Sequence, residues 1–223
     1  MLGTYKDRIV VACEDIEENG FRLFEFAKIQ NSIIGSQGYD TELSELLNTI
    51  NEQELVDSGI LLEFFWNMFV LDTYLGNFDR HNGNWGFLVN ENTKTAKISP
   101  IFDCGSCLFP QNSEEQMDNI IKSKEEIDLR VFTFPNSAIR ENNVKMNYYR
   151  FLRDNHRGNI KLQNSINKVG KRILENQKII ENLIENTEYI TDIHKNFIKV
   201  MIKNRFKELI QPFMEKKTIS WVL

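Results

Sequence analysis

Apolar residues change their spacing twice along the chain. Residues 8–16 are rich in β-branched side chains (Ile9, Val10, Val11, Ile16), and Glu17-Glu18-Asn19-Gly20 follows as a polar turn ending in the Asn-Gly pair that favours positive φ. Residues 21–29 then alternate in a way that suits a second strand or the start of a short helix, so the opening is predicted to be β or a hairpin. Asp40 and Thr41 are placed to cap a helix in which Leu43, Leu46, Leu47 and Ile50 recur at helical spacing. Residues 60–75 are apolar nearly all round, which a helix tolerates only when packed on several sides, so this is the predicted central helix. Residues 76–84 are too rich in Gly and Asn for regular structure. Residues 85–89 and 96–102 read as two short strands around Asn90-Glu91-Asn92-Thr93. From there the pattern is mostly helical, with 3.6-residue periodicity over 147–154, 161–183 and 191–217. No repeat of 20–50 residues is visible, which excludes solenoids and propellers.

Composition narrows the class. The 223 residues are 41% hydrophobic and 26% charged, enough for a substantial core in one domain or two small ones. A net charge of -5 gives no general basic surface, so direct nucleic-acid binding is not expected. Lys195, Lys199, Lys203 and Lys207 form a stripe at an i+4 stride, read as a solvated helix face in preference to a surface for RNA, DNA or an acidic partner. Three cysteines, Cys13, Cys104 and Cys107, are too few for a disulfide framework. The N-terminus lacks the basic and apolar regions of a secretion signal, and the apolar run at 60–75 is interrupted by Glu63, Asn67 and Asp72. A cytoplasmic location without a membrane span is expected.

The candidate chemistry lies in two loops. Asn77-Phe78-Asp79-Arg80-His81-Asn82-Gly83-Asn84-Trp85 follows the apolar helix directly, and the next hairpin ends in Phe102-Asp103-Cys104-Gly105. Asp, Asn and Gly serve any turn, but this placement is what phosphoryl transfer needs. One carboxylate orients and deprotonates the attacking hydroxyl, an amide oxygen five residues on ligates a metal, and a second carboxylate bridges Mg²⁺ between phosphates. Asp79, Asn84 and Asp103 fit these roles in that order.

The string Gly76-Asn77-Phe78-Asp79-Arg80-His81-Asn82-Gly83-Asn84-Trp85-Gly86-Phe87, with Phe102-Asp103-Cys104-Gly105-Ser106-Cys107-Leu108-Phe109-Pro110 after it, resembles the catalytic lobe of HipA-like serine/threonine kinases, and especially their CtkA-like branch. The similarity runs over nearly the whole chain. It implies an α+β protein-kinase-like fold: residues 1–30 a remnant of the N-lobe sheet and hinge, residues 31–223 a mostly helical C-terminal lobe, with a catalytic β-hairpin between the two loops. It implies Asp79 as catalytic base, Asn84 and Asp103 as Mg²⁺ ligands, His81 near the phosphates of ATP, and Ala12-Cys13-Glu14 as the hinge that meets the adenine edge. It also implies a protein substrate and, from the kinase-fold toxins of this family, an antitoxin partner.

Two parts of that pattern have no match. A phosphate-covering loop and a strand lysine should precede the hinge. Only Gly3 and Lys6 represent those residue types before Ala12. The sequence therefore predicts a lobe with an open nucleotide site and weak activity by itself, or else a kinase-like binding module that docks a missing N-lobe half, an antitoxin or another protein. A phosphoinositide-type lipid kinase shares the Asp-Arg-His-Asn-Gly-Asn loop, but the acidic stretch at 113–118 opposes an anionic headgroup. Cys104 and Cys107 form a C-x-x-C without the further ligands of a zinc site. They are read as small residues in a tight loop, with a regulatory disulfide as the alternative. Phe64, Phe65, Trp66 and Phe69 are assigned to the core, and Trp85 to packing the hairpin on the lobe.

Overall fold

The computed structural model describes residues 2–215 and has the expected α+β composition, mostly helical with small antiparallel sheets. Strands β1 (Leu2–Tyr5) and β2 (Arg8–Val11) form a two-stranded ribbon. Its turn is Lys6-Asp7, both at positive φ (48° and 58°), the primed geometry that matches strand twist. The sequence reading starts its first strand at Arg8 and turns at 17–20. The true ribbon lies one strand earlier, because Asp7 accepts the left-handed conformation without the usual glycine. The expected Asn19-Gly20 turn does form, with φ of 55° and 81°, and leads into β3 (Arg22–Glu25).

Strand β3 does not pair with the ribbon. It lies antiparallel to β4 (Gly86–Asn90), which pairs in turn with β5 (Thr95–Ile98), so the predicted hairpin is two-thirds of a three-stranded sheet. Gly86 makes this possible, since a Cβ there would lie 2.3 Å from the Phe24 carbonyl oxygen. Trp85 packs the sheet on the helical body as expected, stacked on Phe26 with centroids 4.0 Å apart. The strand expected over 96–102 stops at Ile98, just before Pro100, which has no N–H to give a ladder.

Helix α1 (Phe26–Ile34) ends at Gly35 in the left-handed conformation. Helix α2 (Leu43–Glu52) follows, but Asp40 and Thr41 do not cap it. The Asp40 carboxylate accepts from the Glu42 N–H, and the Thr41 hydroxyl donates to the distant Ala138 carbonyl, so both serve the loop. Helix α3 (Ser58–Leu75) is the central helix, capped by Asp57 and closed by Gly76 at φ 70°. Leu61, Phe65, Trp66, Met68, Phe69 and Val70 on α3 are almost wholly buried. Phe64 is half-buried: it packs against the core, stacked on Trp85, and also lines a cavity.

Helix α4 (Glu114–Lys122) opens with a Ser113/Gln116 capping box. The acidic Glu114 and Glu115 sit in its first turn, where the helix dipole favours them. Helix α5 (Lys124–Asp128), a π turn at Leu129–Thr133, and the small hairpin β6 (Arg140–Glu141) and β7 (Val144–Lys145) lead to α6 (Tyr148–Asn155). The helix expected over 161–183 is two, α7 (Ile160–Glu175) and α8 (Gln177–Glu185). They break at Asn176, whose side-chain amide donates back to the Arg172 carbonyl. Helix α9 (Asp192–Arg205) gives way to a π turn and a 3₁₀ turn near Pro212, short of the expected end at 217. Residues 216 and 217 lie outside the described residues.

Within the lysine stripe, Lys195 donates to the Glu185 carbonyl and Lys199 pairs with the Glu185 carboxylate, tying α9 to α8. No helix among the described residues is long and apolar enough to cross a membrane.

Candidate active site

The site begins with a charge inside the apolar helix. Asp72 lies on the last turn of α3, buried, where a carboxylate is opposed both by desolvation and by the negative end of the helix dipole. It is held there by Arg80, itself 2% exposed, whose Nε donates to Asp72 Oδ2 at 3.0 Å and whose Nη2 donates to Oδ1 at 3.2 Å. Asn77 Nδ2 adds a third bond, to Oδ1 at 2.9 Å. Burial pushes the Asp72 carboxyl up, against the pull of Arg80 and Asn77. Burial works against the Arg80 charge too, but Asp72 outweighs it and the guanidinium stays firmly protonated.

Having satisfied Asp72, Arg80 still has donors, and these join the two loops. Its Nη1 donates to the Asn84 carbonyl at 2.7 Å and also to the Phe102 carbonyl, while Nη2 reaches Cys104 Sγ at 3.5 Å. A single planar guanidinium thus holds the loop containing Asp79 and Asn84 beside the loop containing Asp103.

Around this clamp the first loop is built from side-chain to backbone bonds. Asn77 Oδ1 accepts from the Asp79 N–H at 3.0 Å, fixing the turn that presents the exposed Asp79. Asn84 Nδ2 donates to the Asp79 carbonyl at 2.9 Å. That bond orients the buried Asn84 amide and leaves its oxygen, like the carboxylates of Asp79 and Asp103, without a hydrogen-bond partner among the described residues. His81 Nδ1 accepts from the Gly83 N–H at 3.0 Å, which selects the tautomer carrying its proton on Nε2. The Tyr39 ring lies over His81, centroids 4.8 Å apart, and against Gly83, where a Cβ would be 2.5 Å from Tyr39 Cε1. Asn82 is fully buried and structural: its amide donates to Gln30 and to the Asp40 carbonyl and accepts from Trp85 Nε1.

The second loop leaves β5 through Ser99 and Pro100 to an exposed Asp103 at φ 51°, an uncommon conformation for a non-glycine residue. A turn then runs from Cys104 to Cys107, the tight loop expected from the C-x-x-C. Hydrogen bonding from Cys107, with help from Arg80, holds the Cys104 thiol down at about 6, and the same contact pushes the Cys107 thiol up.

At the start of the second loop is an open cavity of about 590 Å³, whose lining includes the apolar Phe21, Phe64, Leu88 and Ile98 and the acidic Glu14, Asp15 and Glu18. Its wall includes Ser99 and Pro100. Pro100 is three residues from Asp103, a reach of no more than about 11 Å for an extended chain. Lys97 stands at the rim with its ammonium 4.5 Å from the Phe21 ring centroid. Of the predicted hinge, Glu14 lines this cavity, while the exposed Ala12 and Cys13 precede it in the chain and do not.

Asp79, His81, Asn84 and Asp103 are therefore brought to one region. Asp72, Arg80, Asn77 and Tyr39 were missed by the sequence reading. The available signal was Asp72 as an acid near the end of an apolar helix predicted to be packed on several sides, a position that demands a buried cation nearby. Among the described residues no three or more His, Cys, Asp or Glu side chains form a closed metal cage. The unpaired Asp103 carboxylate and the Asn84 amide oxygen are hard oxygen donors of the kind a cation takes when water and phosphate oxygens complete its shell.

A helical lobe with a small sheet, an Asp-x-x-x-x-Asn loop and an Asp-x-Gly loop clamped together beside a cavity defines a kinase-type catalytic lobe. No protein-family model matches the chain. It is 40% identical over 213 residues to the serine/threonine-protein kinase CtkA of Helicobacter pylori, covering 94% of this chain and 64% of that protein. The crystal structure of a Helicobacter pylori proinflammatory kinase CtkA superposes with a TM-score of 0.91 at 39% identity, over 96% of this chain and 74% of that one. This chain belongs to the CtkA family of serine/threonine kinases, the branch that its loop motifs resemble. It spans 64% of the length of the curated relative it matches.

Proposed function

We propose that this chain is the catalytic lobe of a serine/threonine kinase that moves the γ-phosphoryl group of ATP to a protein hydroxyl with the help of Mg²⁺. The observation that carries the reading is the Arg80 clamp, which holds Asp79, Asn84 and Asp103 in adjacent loops while leaving their metal- and proton-accepting oxygens unused. Asp79 accepts the substrate hydroxyl proton as that oxygen attacks the γ-phosphorus and the bond to the bridging oxygen of ADP breaks. Asn84 and Asp103 would hold Mg²⁺, which when bound neutralises charge on the phosphates. The Nε2–H of His81 is a donor available to a phosphate oxygen. The adenine ring would enter the cavity whose apolar lining includes Phe64 and Ile98, with its polar edge toward the segment at Glu14.

Residues 1–30 are read as upper-lobe remnant and hinge and 31–223 as the lower lobe. A cytoplasmic location and a toxin–antitoxin role follow by family resemblance and are part of the same proposal. The phosphate-covering loop and strand lysine have no counterpart in the sequence before the hinge, so the 223-residue chain assayed alone is expected to transfer phosphate slowly.

A second reading, a docking module, is favoured by one observation. Ile9 and Val11 on β2 are 58% and 68% exposed, an apolar ribbon face open to a partner. Phosphorylation of a generic serine/threonine substrate such as myelin basic protein, with and without Asp79→Asn, separates the two. A kinase gives a signal that Asp79→Asn lowers by a hundredfold or more with ATP binding retained. Transfer indifferent to Asp79, or absent at any enzyme concentration, contradicts the kinase reading.

A further inference from the structure

We infer that Cys104 and Cys107 are a reversible thiol-oxidation site, closing to a disulfide directly behind the metal-holding loop. The backbone already has the required approach. The Cys107 N–H donates to the Cys104 carbonyl at 3.1 Å, closing a four-residue turn. Such a turn keeps its end Cα atoms within about 7 Å, against roughly 4.4–6.8 Å in disulfides. The two thiols also act on one another, Cys107 drawing the Cys104 thiol down and being pushed up in return. Both are free thiols, and Cys104 is exposed to a small oxidant. Arg80 Nη2, 3.5 Å from Cys104 Sγ, supplies a cation that favours nucleophilic sulfur there. Cys13, the third cysteine, is exposed on the segment after β2 and has no second cysteine near it in sequence.

The oxidant is a hydroperoxide. Cys104 sulfur attacks its terminal oxygen, the O–O bond breaks, and the alcohol or water leaves with the thiol proton, giving Cys104 sulfenic acid. Cys107 sulfur then attacks Cys104 sulfur, the S–O bond breaks, and water departs with the second thiol proton as the S–S bond forms. The two sulfurs have given two electrons to the peroxide. A small dithiol reverses the change by exchange.

A disulfide sulfur is a poor acceptor, so Arg80 loses its contact at Cys104. The change falls one residue from Asp103, in a loop already carrying positive φ at Asp103, Leu108 and Phe109. Oxidation therefore displaces Asp103 and weakens Mg²⁺-dependent nucleotide binding, a consequence that rests on the proposed kinase reading, whereas the disulfide itself does not.

The test treats the reduced full chain with hydrogen peroxide in chelator, alkylates remaining thiols, digests, and maps peptides by mass spectrometry. The expected product is a linked 104–107 peptide, lighter by two hydrogens and restored by dithiothreitol. In Cys107→Ser the link is absent and dimedone captures Cys104, while Cys13→Ala links as the wild type does. Both thiols remaining alkylatable, direct over-oxidation without a link, or cross-linking through Cys13 instead would overturn the assignment. In a parallel arm, calorimetry should show Mg-ATP affinity reduced fivefold or more in the linked chain and restored on reduction. A linked chain with unchanged affinity overturns the regulatory consequence. A linked chain whose reduced form binds no nucleotide leaves the disulfide standing and refutes the kinase reading.

Discussion

Replacing Arg80 by lysine tests whether one buried guanidinium holds the two loops together. Lysine keeps a positive charge for Asp72, so the variant avoids the roughly 3–5 kcal/mol penalty of leaving a buried carboxylate unpaired. A single ammonium, however, cannot grip both oxygens of Asp72 and also reach the carbonyls of Asn84 and Phe102, which Arg80 does together. Two hydrogen bonds from a charged donor to buried carbonyls are lost, each worth about 1.5–3 kcal/mol, partly offset where water reaches the loop. A net loss of about 2–4 kcal/mol is expected. At about 2–4 °C per kcal/mol for a domain of this size, melting should fall by roughly 5–15 °C. Thermal unfolding by circular dichroism and calorimetric titration with Mg-ATP are the paired assays. The account expects a folded variant with lowered Tm and a nucleotide affinity reduced tenfold or more. Wild-type stability together with wild-type affinity would show that the carbonyl contacts do not secure the loops.

Further outcomes follow from single contacts. Gly83→Ala and Gly86→Ala should behave oppositely, although both glycines are buried. The Cβ at 83 meets the ring of Tyr39, an exposed side chain that can swing aside, so stability should change by less than about 1 kcal/mol while nucleotide affinity falls severalfold. The Cβ at 86 meets the Phe24 carbonyl, and the paired strand cannot yield, so denaturant unfolding should register a loss of about 3 kcal/mol or failure to fold. Asn82→Ala, which orphans Gln30, the Asp40 carbonyl and Trp85 Nε1, should cost about 2–3 kcal/mol in the same assay. Cys104, with its thiol at about 6, is protonated and slow below that pH. Its iodoacetamide alkylation in chelator should reach half its limiting rate near pH 6, and Cys107→Ala should move that midpoint upward.

The central helix, the paired loops and the hairpin were legible because each rests on a local signal. An all-apolar run demands burial, and Asp, Asn and Gly at fixed offsets specify loop chemistry. What escaped depends on distant partners. Strand β3 could not be assigned to β4 from its own four residues, since the pairing of Phe24 with Phe87 joins positions 63 apart in sequence. Arg80 reads as one more loop cation until α3 delivers Asp72 to it. Tyr39 lies in a loop whose only sequence feature is polarity. Asp40 and Thr41 had the right chemistry for a cap but spend it on Glu42 and Ala138. The break at Asn176 was hidden because the apolar stripe continues across it.

The central claim is that Asn84 and Asp103 hold the metal through which this lobe takes ATP. Isothermal titration of the 223-residue chain with ATP, with and without Mg²⁺, and again for Asp103→Ala and Asn84→Ala, addresses it most directly. The account predicts weak binding that requires Mg²⁺ in the wild type, and tenfold or greater loss of that metal-dependent part in either variant with the fold intact. Binding of equal strength without Mg²⁺, or variants indistinguishable from wild type, would contradict it.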